Sequence, residues 1–480
     1  MRSALSPVST AVSIAVSIAL APALVAALAT PASARAAKAW PQAEAQVLDL
    51  SKETIAMRSV RGEGNRTADV ARAFAAALKS GGWADKDIEI VPVDDTAYLF
   101  ATWPGRDPAA KPIVISGHMD VVEAKPADWE RDPFTPVVEN GYLYGRGASD
   151  MKFSGALAVA SLIELRRQGF VPRRPIVVAF SGDEETTMKT SKIIADRLPN
   201  AELVLNTDGS GGNLDEKTGK PLFWMWDGAE KSYVDYQLEM TNPGGHSSAP
   251  RAENAIVQLS QALARIGGYR FAAEVSPLTK AYFEKAAQFE GDPAIAAAMR
   301  AFAANPADAA ALAVLRANPA YVGKVGTTCV PTMVNGGHAQ NALPQRATAN
   351  INCRVFPGHS REEIMAELKR VADLPGMTIR DISGDETTMS PASPVRADLV
   401  AAMDKGLRAG WGAIPAIPAQ SSGASDSMWY RAKGVPSYGI SPVFIKDSDD
   451  FSHGLNERVE LRNIRPGVAY YLSLLTDLSR

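Results

Sequence analysis

Residues 154–180 read SGALAVASLIELRRQGFVPRRPIVVAF. Ser154 to Gln168 has the spacing of a helix, and Ile176 to Phe180 is a short, unbroken apolar run. A strand that is apolar along its whole length is buried on both faces, as in parallel sheets covered by crossover helices. The alternation continues outward from there. Ala43 to Leu78 is helical in pattern and stops at Gly81-Gly82, and Ile88 to Val93, Tyr98 to Trp103 and Ile113 to Ser116 are apolar runs bounded by turns. Downstream, Ser191 to Leu198 reads as a helix and Leu203 to Asn206 as a buried strand. This predicts an α/β fold with a mostly parallel sheet flanked by helices.

The texture changes after Trp226. Tyr233 to Met240 alternates like a half-exposed strand, Ala255 to Ile266 is an amphipathic helix, and Cys329 to Asn335 with Ala347 to Phe356 reads as a hairpin. Arg361 to Ala372 is a helix and Met377 to Ile382 a strand. The order β-α-β-β-α-β is that of a small ferredoxin-like α+β module. An Ala-rich stretch from about 277 to 319 interrupts it. Asp292-Pro293 and Asn305-Pro306 each pair a cap residue with a following proline, predicting two short inserted helices that add packing or a dimer contact. The first texture then resumes with a helix over Pro394 to Ala409, a strand over Val435 to Ile440 and a closing helix over Ile464 to Leu478. The expected organisation is therefore a discontinuous domain, 37–228 and 387–480, with a second domain inserted at 229–386.

At 480 residues the chain has room for two or three domains of roughly 150 residues each. Hydrophobic residues at 46% and charged residues at 21% describe a globular protein, and a formal charge of -3 offers no basic face for a nucleic acid. Residues 1–36 read as a signal peptide: Arg2, an apolar run from Ala11 to Leu28, and small residues at Ala34-Arg35-Ala36. The expectation is export to the periplasm or medium, a mature chain from near Ala37, and no membrane span after processing. Cys329 and Cys353 are equidistant from Asn341, so one hairpin register sets them opposite each other in an oxidising compartment. A slip of one residue sends them to opposite faces, and the pairing stays open.

Five histidines occur: His118, His246, His338, His359 and His453. His118 follows a predicted buried strand, and Asp120 two residues on could accept its second ring N–H. Asp150 comes after Gly145 and Gly147, just before a predicted helix, and reads as a helix cap or a cation ligand. Asp183-Glu184-Glu185 follows the strand Ile176 to Phe180, Asp208 follows Leu203 to Asn206, and His453 lies in a polar loop. Each alone has a plain structural reading. Together they place two histidines and several carboxylates at successive strand ends, a mixed N/O donor set suited to zinc. A G-x-S-x-G turn, which a serine hydrolase would need, is absent from the sequence.

The run from Gly117-His118-Met119-Asp120 through Asp132-Pro133-Phe134 to Gly145-Arg146-Gly147-Ala148-Ser149-Asp150-Met151-Lys152 strongly resembles metallopeptidase family 20. Asp183-Glu184-Glu185, Gly244-Gly245-His246-Ser247-Ser248 and the His453 segment extend the resemblance over nearly all of the chain beyond the leader. That family includes aminoacylases, carboxypeptidase S-like enzymes, succinyl-diaminopimelate desuccinylases and carnosine dipeptidases. The resemblance implies a zinc-exopeptidase-like sheet with an inserted lid and dimerisation domain. It implies two zinc ions, or manganese or cobalt in their place: His118 and Asp208 on one, Glu185 and His453 on the other, and Asp150 bridging. Glu184 would be the general base, Asp120 the partner of His118, and His246 the stabiliser of the oxyanion, often from the second subunit of a homodimer. Asn341 and Arg354 would hold the substrate's carboxylate end, beside a loop containing Gly423. His338 and His359 match nothing and read as surface residues.

The implied activity is hydrolysis of a peptide or N-acyl amide bond in a small substrate. Asp208 is similar to the aminopeptidase and dipeptidase branches, whereas the helical insertion and Asn352-Cys353-Arg354-Val355-Phe356-Pro357-Gly358 are similar to carboxypeptidase S and N-acyl-amino-acid hydrolases. The end attacked stays open. The competing class is an inactive metal- or peptide-binding homologue acting as a scaffold.

Overall fold

The computed structural model describes residues 38–480, so the expected leader and the mature start at Ala37 lie outside the described residues. Among those described, no helix is long and apolar enough to cross a membrane.

The apolar runs form the centre of a ten-stranded sheet. Strands Ile176–Ser181, Ile113–His118, Leu203–Asn206 and Ser437–Gly439 lie side by side in that order, all parallel. Helix Lys152–Arg167 is buried from Lys152 to Leu165, because helices Pro41–Ile55 and Ile464–Leu478 cover it from outside. This parallel centre is the expected one, and antiparallel strands on both sides make the sheet as a whole mixed. Thr96–Trp103 pairs antiparallel with Ile176–Ser181 on one side and forms a hairpin with Ile88–Val93, and Pro221–Glu230 runs antiparallel to Ser437–Gly439 on the other. Pro221–Glu230 was not legible as a strand. It buries Trp224 and Trp226 and pairs in parallel with Ala416–Ser421.

The single helical pattern from Ala43 to Leu78 is two helices, Pro41–Ile55 and Thr67–Ser80. The joint contains Gly62 and Gly64 at φ +97° and +75°, a backbone turn that residues with a Cβ resist.

The second sheet has the order Thr328–Gly336, Arg346–Val355, Ser232–Thr241, Thr378–Asp381, antiparallel throughout. With helices Ala255–Gly268 and Arg361–Ala372 it encloses its own core, including Val234, Leu259, Ile351 and Leu368. This is the expected ferredoxin-like order. Cys329 pairs with Cys353 in register and the two form a disulfide. A bulge makes that register possible: Met333 faces Asn350, the bulge skips Thr332, and Pro331 faces Ile351.

The insertion holds four helices, Pro277–Ala286, Pro293–Ala304, Ala309–Ala317 and Pro319–Val322, where two were expected. Asp292 caps its helix as predicted, accepting from the N–H groups of Ala294 and Ile295. Asn305 does not start one. It ends the helix before it, and Asp308 is the cap of the next. Phe283, Phe302 and Leu315 pack with Ile417 and Ala419, tying the insertion to the large sheet.

Candidate metal centre

Three of the central strands, Ile113–His118, Ile176–Ser181 and Leu203–Asn206, end at one edge and deliver polar groups there. His118 is the last residue of Ile113–His118, two residues beyond the predicted end, and is 2% exposed. Its Nδ1 lies 3.1 Å from the Asp120 carbonyl and 3.5 Å from the Asp120 carboxylate, and its Nε2 lies 3.1 Å from Asp150 Oδ1. The Asp120 carboxylate also accepts the backbone N–H groups of Glu184 and Glu185 at 3.1 and 3.0 Å. One carboxylate thus fixes both the histidine and the acidic turn. Asp183 stands apart from them. Its oxygens accept the N–H groups of Lys189 and Thr190 and cap the next helix.

His453, in a loop at φ +60°, places Nε2 3.1 Å from Asp150 Oδ2 and 3.0 Å from Glu185 Oε1. Asp150 therefore stands between the two histidines, one oxygen toward each. His118, Asp150 and Glu185 offer donor atoms within 4.8 Å of one another. Asp208 follows Leu203–Asn206, its N–H held by the Asn206 side chain at 3.0 Å. The chain can pass there because Gly209 lies against Gly439: a Cβ on Gly209 would come within 2.4 Å of the Gly439 Cα. Asp208 falls outside the 4.8 Å group but within the field of Asp150 and Glu185.

The electrostatics call for cations. Burial, with Asp150 beside it, pushes Asp208 up to about 8, and burial pushes Glu184 well above the usual carboxylate range. Burial would lower His118, but hydrogen bonds to Asp120 and Asp150 outweigh it and hold the ring well above its ordinary value. Bonds to Asp150 and then Glu185 raise His453 to about 10. Carboxylates gathered in a buried cleft are costly until positive charge arrives, and these donors fit divalent zinc-type ions.

The sequence-predicted residues of the small module are not brought to this cluster within one chain. His246 is exposed on the short strand Gly245–His246, which pairs with Ala342–Leu343. Its Nδ1 accepts the Ser248 N–H at 3.2 Å, which leaves the proton on Nε2, pointing away from that bond. Asn341 is beside it, its carbonyl accepting the Ser247 N–H at 3.0 Å. Arg354 lies on the second sheet opposite Tyr233, its guanidinium 4.8 Å from that ring. Gly423 is in an exposed turn where its N–H donates to Ser421 Oγ at 3.0 Å. His338 is exposed as expected, but His359 is more than a surface residue, with Nε2 2.5 Å from Glu274.

Several supporting residues escaped the sequence reading. Glu457 is fully buried and accepts from the N–H groups of Gly147, Ser149 and Asp150, and from Arg146 at 2.6 Å. It holds the loop that carries Asp150. Lys152 Nζ donates to the Thr54 and Met57 carbonyls beneath that loop. Asp426, 2% exposed, accepts from Ser181 at 2.8 Å, and burial raises it to about 7. The signal for Glu457 was its place four residues after His453; nothing in the sequence marked Asp426.

Residues 114–477 match the sequence profile described as Peptidase family M20/M25/M40. The chain is 27% identical over 400 residues to a probable carboxypeptidase S-like 2 of Dictyostelium discoideum, covering 80% of this chain and 74% of that protein. It is also 27% identical over 405 residues to the mouse N-fatty-acyl-amino acid synthase/hydrolase PM20D1, covering 79% of this chain and 76% of that protein. In fold it is similar to the M20 family metallo-carboxypeptidase Sso-CP2 of Sulfolobus solfataricus, with a TM-score of 0.66 at 18% identity over 90% of this chain and 98% of that one. The dipeptidase Dug1p of Saccharomyces cerevisiae gives 0.62 at 17% identity over 91% and 96%. With its histidine and carboxylate cluster at the strand ends, the chain is a hydrolytic enzyme that belongs to peptidase family M20/M25/M40.

Proposed function

We propose that this enzyme is a di-zinc hydrolase of N-acyl amino acids and small peptides. The observation that carries the reading is Asp150 set between His118 and His453, with Glu185 bonded to the second histidine and Glu184 beside it. His118 and Asp208 would hold one ion, Glu185 and His453 the other, and Asp150 both; manganese or cobalt could take the place of zinc. When bound, such a pair supplies Lewis acidity and a water acidic enough to ionise near pH 7.

The chain's own residues do the rest. Glu184 takes the proton of the attacking water and delivers it to the departing nitrogen. Asp120 holds the Glu184–Glu185 turn against His118. His246 donates Nε2–H to the oxyanion of the tetrahedral intermediate. Arg354 and Asn341, with the Gly423 turn, hold a terminal carboxylate on the substrate. The names of the 27% identical relatives, a probable carboxypeptidase S-like protein and an N-fatty-acyl-amino acid synthase/hydrolase, support a substrate with that group free.

Residues 37–228 and 387–480 would form the catalytic domain and 229–386 a lid that also dimerises. The free edge strand Thr328–Gly336 supports this, since Val330, Met333 and Val334 are 53%, 64% and 65% exposed on it. Export of the chain is part of the reading, and the Cys329–Cys353 bond supports it as a feature of oxidising compartments. The test is metal content and hydrolysis of N-acyl amino acids and dipeptides with and without a chelator. About two ions per chain and chelator-sensitive cleavage are expected; a metal-free, inert protein would mean a scaffold instead.

A further inference from the structure

Three cations lie near one another where the insertion rejoins the second sheet, the charges of Arg354 and Lys324 both acting on Lys231. Lys231 is the one residue between Pro221–Glu230 of the large sheet and Ser232–Thr241 of the small one, and is 1% exposed. Its Nζ donates to the Gly326 carbonyl at 2.9 Å and to Thr328 Oγ1 at 3.0 Å. Arg354 is the register partner of that same Thr328. Lys324, two residues before Gly326, leaves the last inserted helix with its Nζ 4.7 Å from the Tyr282 ring centre.

Among the described residues none of the three has a carboxylate within 4 Å, and the side chains of Lys324 and Arg354 make no hydrogen bond. The nearby acids are engaged elsewhere. Glu274 pairs with His359, Glu230 with Arg431 and Ser425, and Asp227 with the N–H and hydroxyl of Ser210. Burial, then the neighbouring Arg354 charge, pushes Lys231 down to about 7, and burial lowers Lys324 and Arg354. Lys231 is satisfied by neutral acceptors, and Lys324 and Arg354 rest on the Tyr282 and Tyr233 rings, so the cluster lacks a counter-ion, which a bound anion would supply.

The position of the cluster says which anion. The Lys231 N–H donates to the Ser421 carbonyl, and a Cβ on Gly323 would come within 2.7 Å of Ser422 Oγ. Lys324 is therefore carried by backbone that touches the turn containing Gly423. Asp227, near Lys324, grips Ser210, two residues after Asp208. We infer that Lys324 is a specificity-determining residue: delivered by the helical insertion, it binds the carboxylate of the substrate together with Arg354, and Lys231 fixes the backbone that carries it. This rests on the hydrolase reading above and gives the insertion a role beyond packing.

Lys324→Met keeps the aliphatic stem over Tyr282 and removes the charge. An N-acetyl amino acid and its carboxamide serve as paired substrates for the metal-loaded enzyme. The wild type is expected to favour the carboxylate, and the variant to lose about tenfold of that preference, mostly through KM, with Lys324→Arg restoring it. A Lys324→Met enzyme with wild-type preference overturns the inference. The rise in unfolding temperature caused by the same two compounds reads binding without turnover. Carboxylate-dependent stabilisation that Lys324→Met abolishes, in a protein that cleaves neither compound, would uphold the subsite and overturn the hydrolase reading. No carboxylate-dependent stabilisation and no cleavage would overturn both.

Discussion

His118 is 2% exposed and engaged through both ring nitrogens, whereas His246 is exposed and uses only Nδ1. The same contrast runs through their surroundings. In the crevice of the large sheet, Asp120, Asp150, Glu185 and His453 are tied to one another, and Glu457 holds their loop from below. In the small module, His246 and Asn341 are exposed on a short strand and a turn, and Arg354 is half-buried against Tyr233, all with few partners of their own. Preorganised groups in a buried network suit chemistry on a bound water. Groups held on a separate sheet with its own core suit recognition that is completed when two surfaces meet.

Four substitutions probe that division. Glu184→Gln should cut kcat by about 10²–10⁴ while metal analysis still finds two ions per chain; near-full activity would remove Glu184 as the base. Glu457→Gln leaves Arg146 without its buried partner and should lower stability by about 3–5 kcal/mol in chemical denaturation, with weaker metal retention because the Asp150 loop loosens. His246→Ala should lower kcat by about 10²–10³ with stability and metal content as in the wild type. A loss of metal there would mean that the two regions are not separable. The smallest effect belongs to His359, whose hydrogen bond to Glu274 raises it against the opposing effect of burial. Its contribution is fully present below the ordinary histidine value and disappears as pH rises through the raised one. The pair is partly exposed, so His359→Gln should cost under about 1 kcal/mol at pH 6, a gap in unfolding temperature that narrows as pH rises through the raised value.

The fold was legible where one local signal sufficed. Leu203–Asn206, Arg361–Ala372 and Ile464–Leu478 match the sequence reading residue for residue because full burial, a Ser360 capping box and apolar periodicity mark them. Asn305-Pro306 misled because the same cap-and-proline pair can close one helix as well as open the next. Pro221–Glu230 was missed because its strand character comes from pairing with the distant Ala416–Ser421 and Ser437–Gly439. In the site, His118, Glu185 and Asp208 could be read as donors at strand ends. Asp426 and Lys324 could not, since what singles them out is a neighbourhood assembled from remote segments.

The skipped residue at Thr332 has a consequence for how this hairpin can change. From its tip, Gly336 to Met333 pair with Ala347 to Asn350 in one phase; from Pro331 to Cys329 the pairing runs in another. Had Thr332 joined the ladder, Cys329 would stand opposite Arg354 and Cys353 would be left with its neighbour. Thr332 thus works as a phase shifter that lets the tip and the cysteine end be tuned independently. Removing it would keep both sets of partners and leave one unbroken ladder.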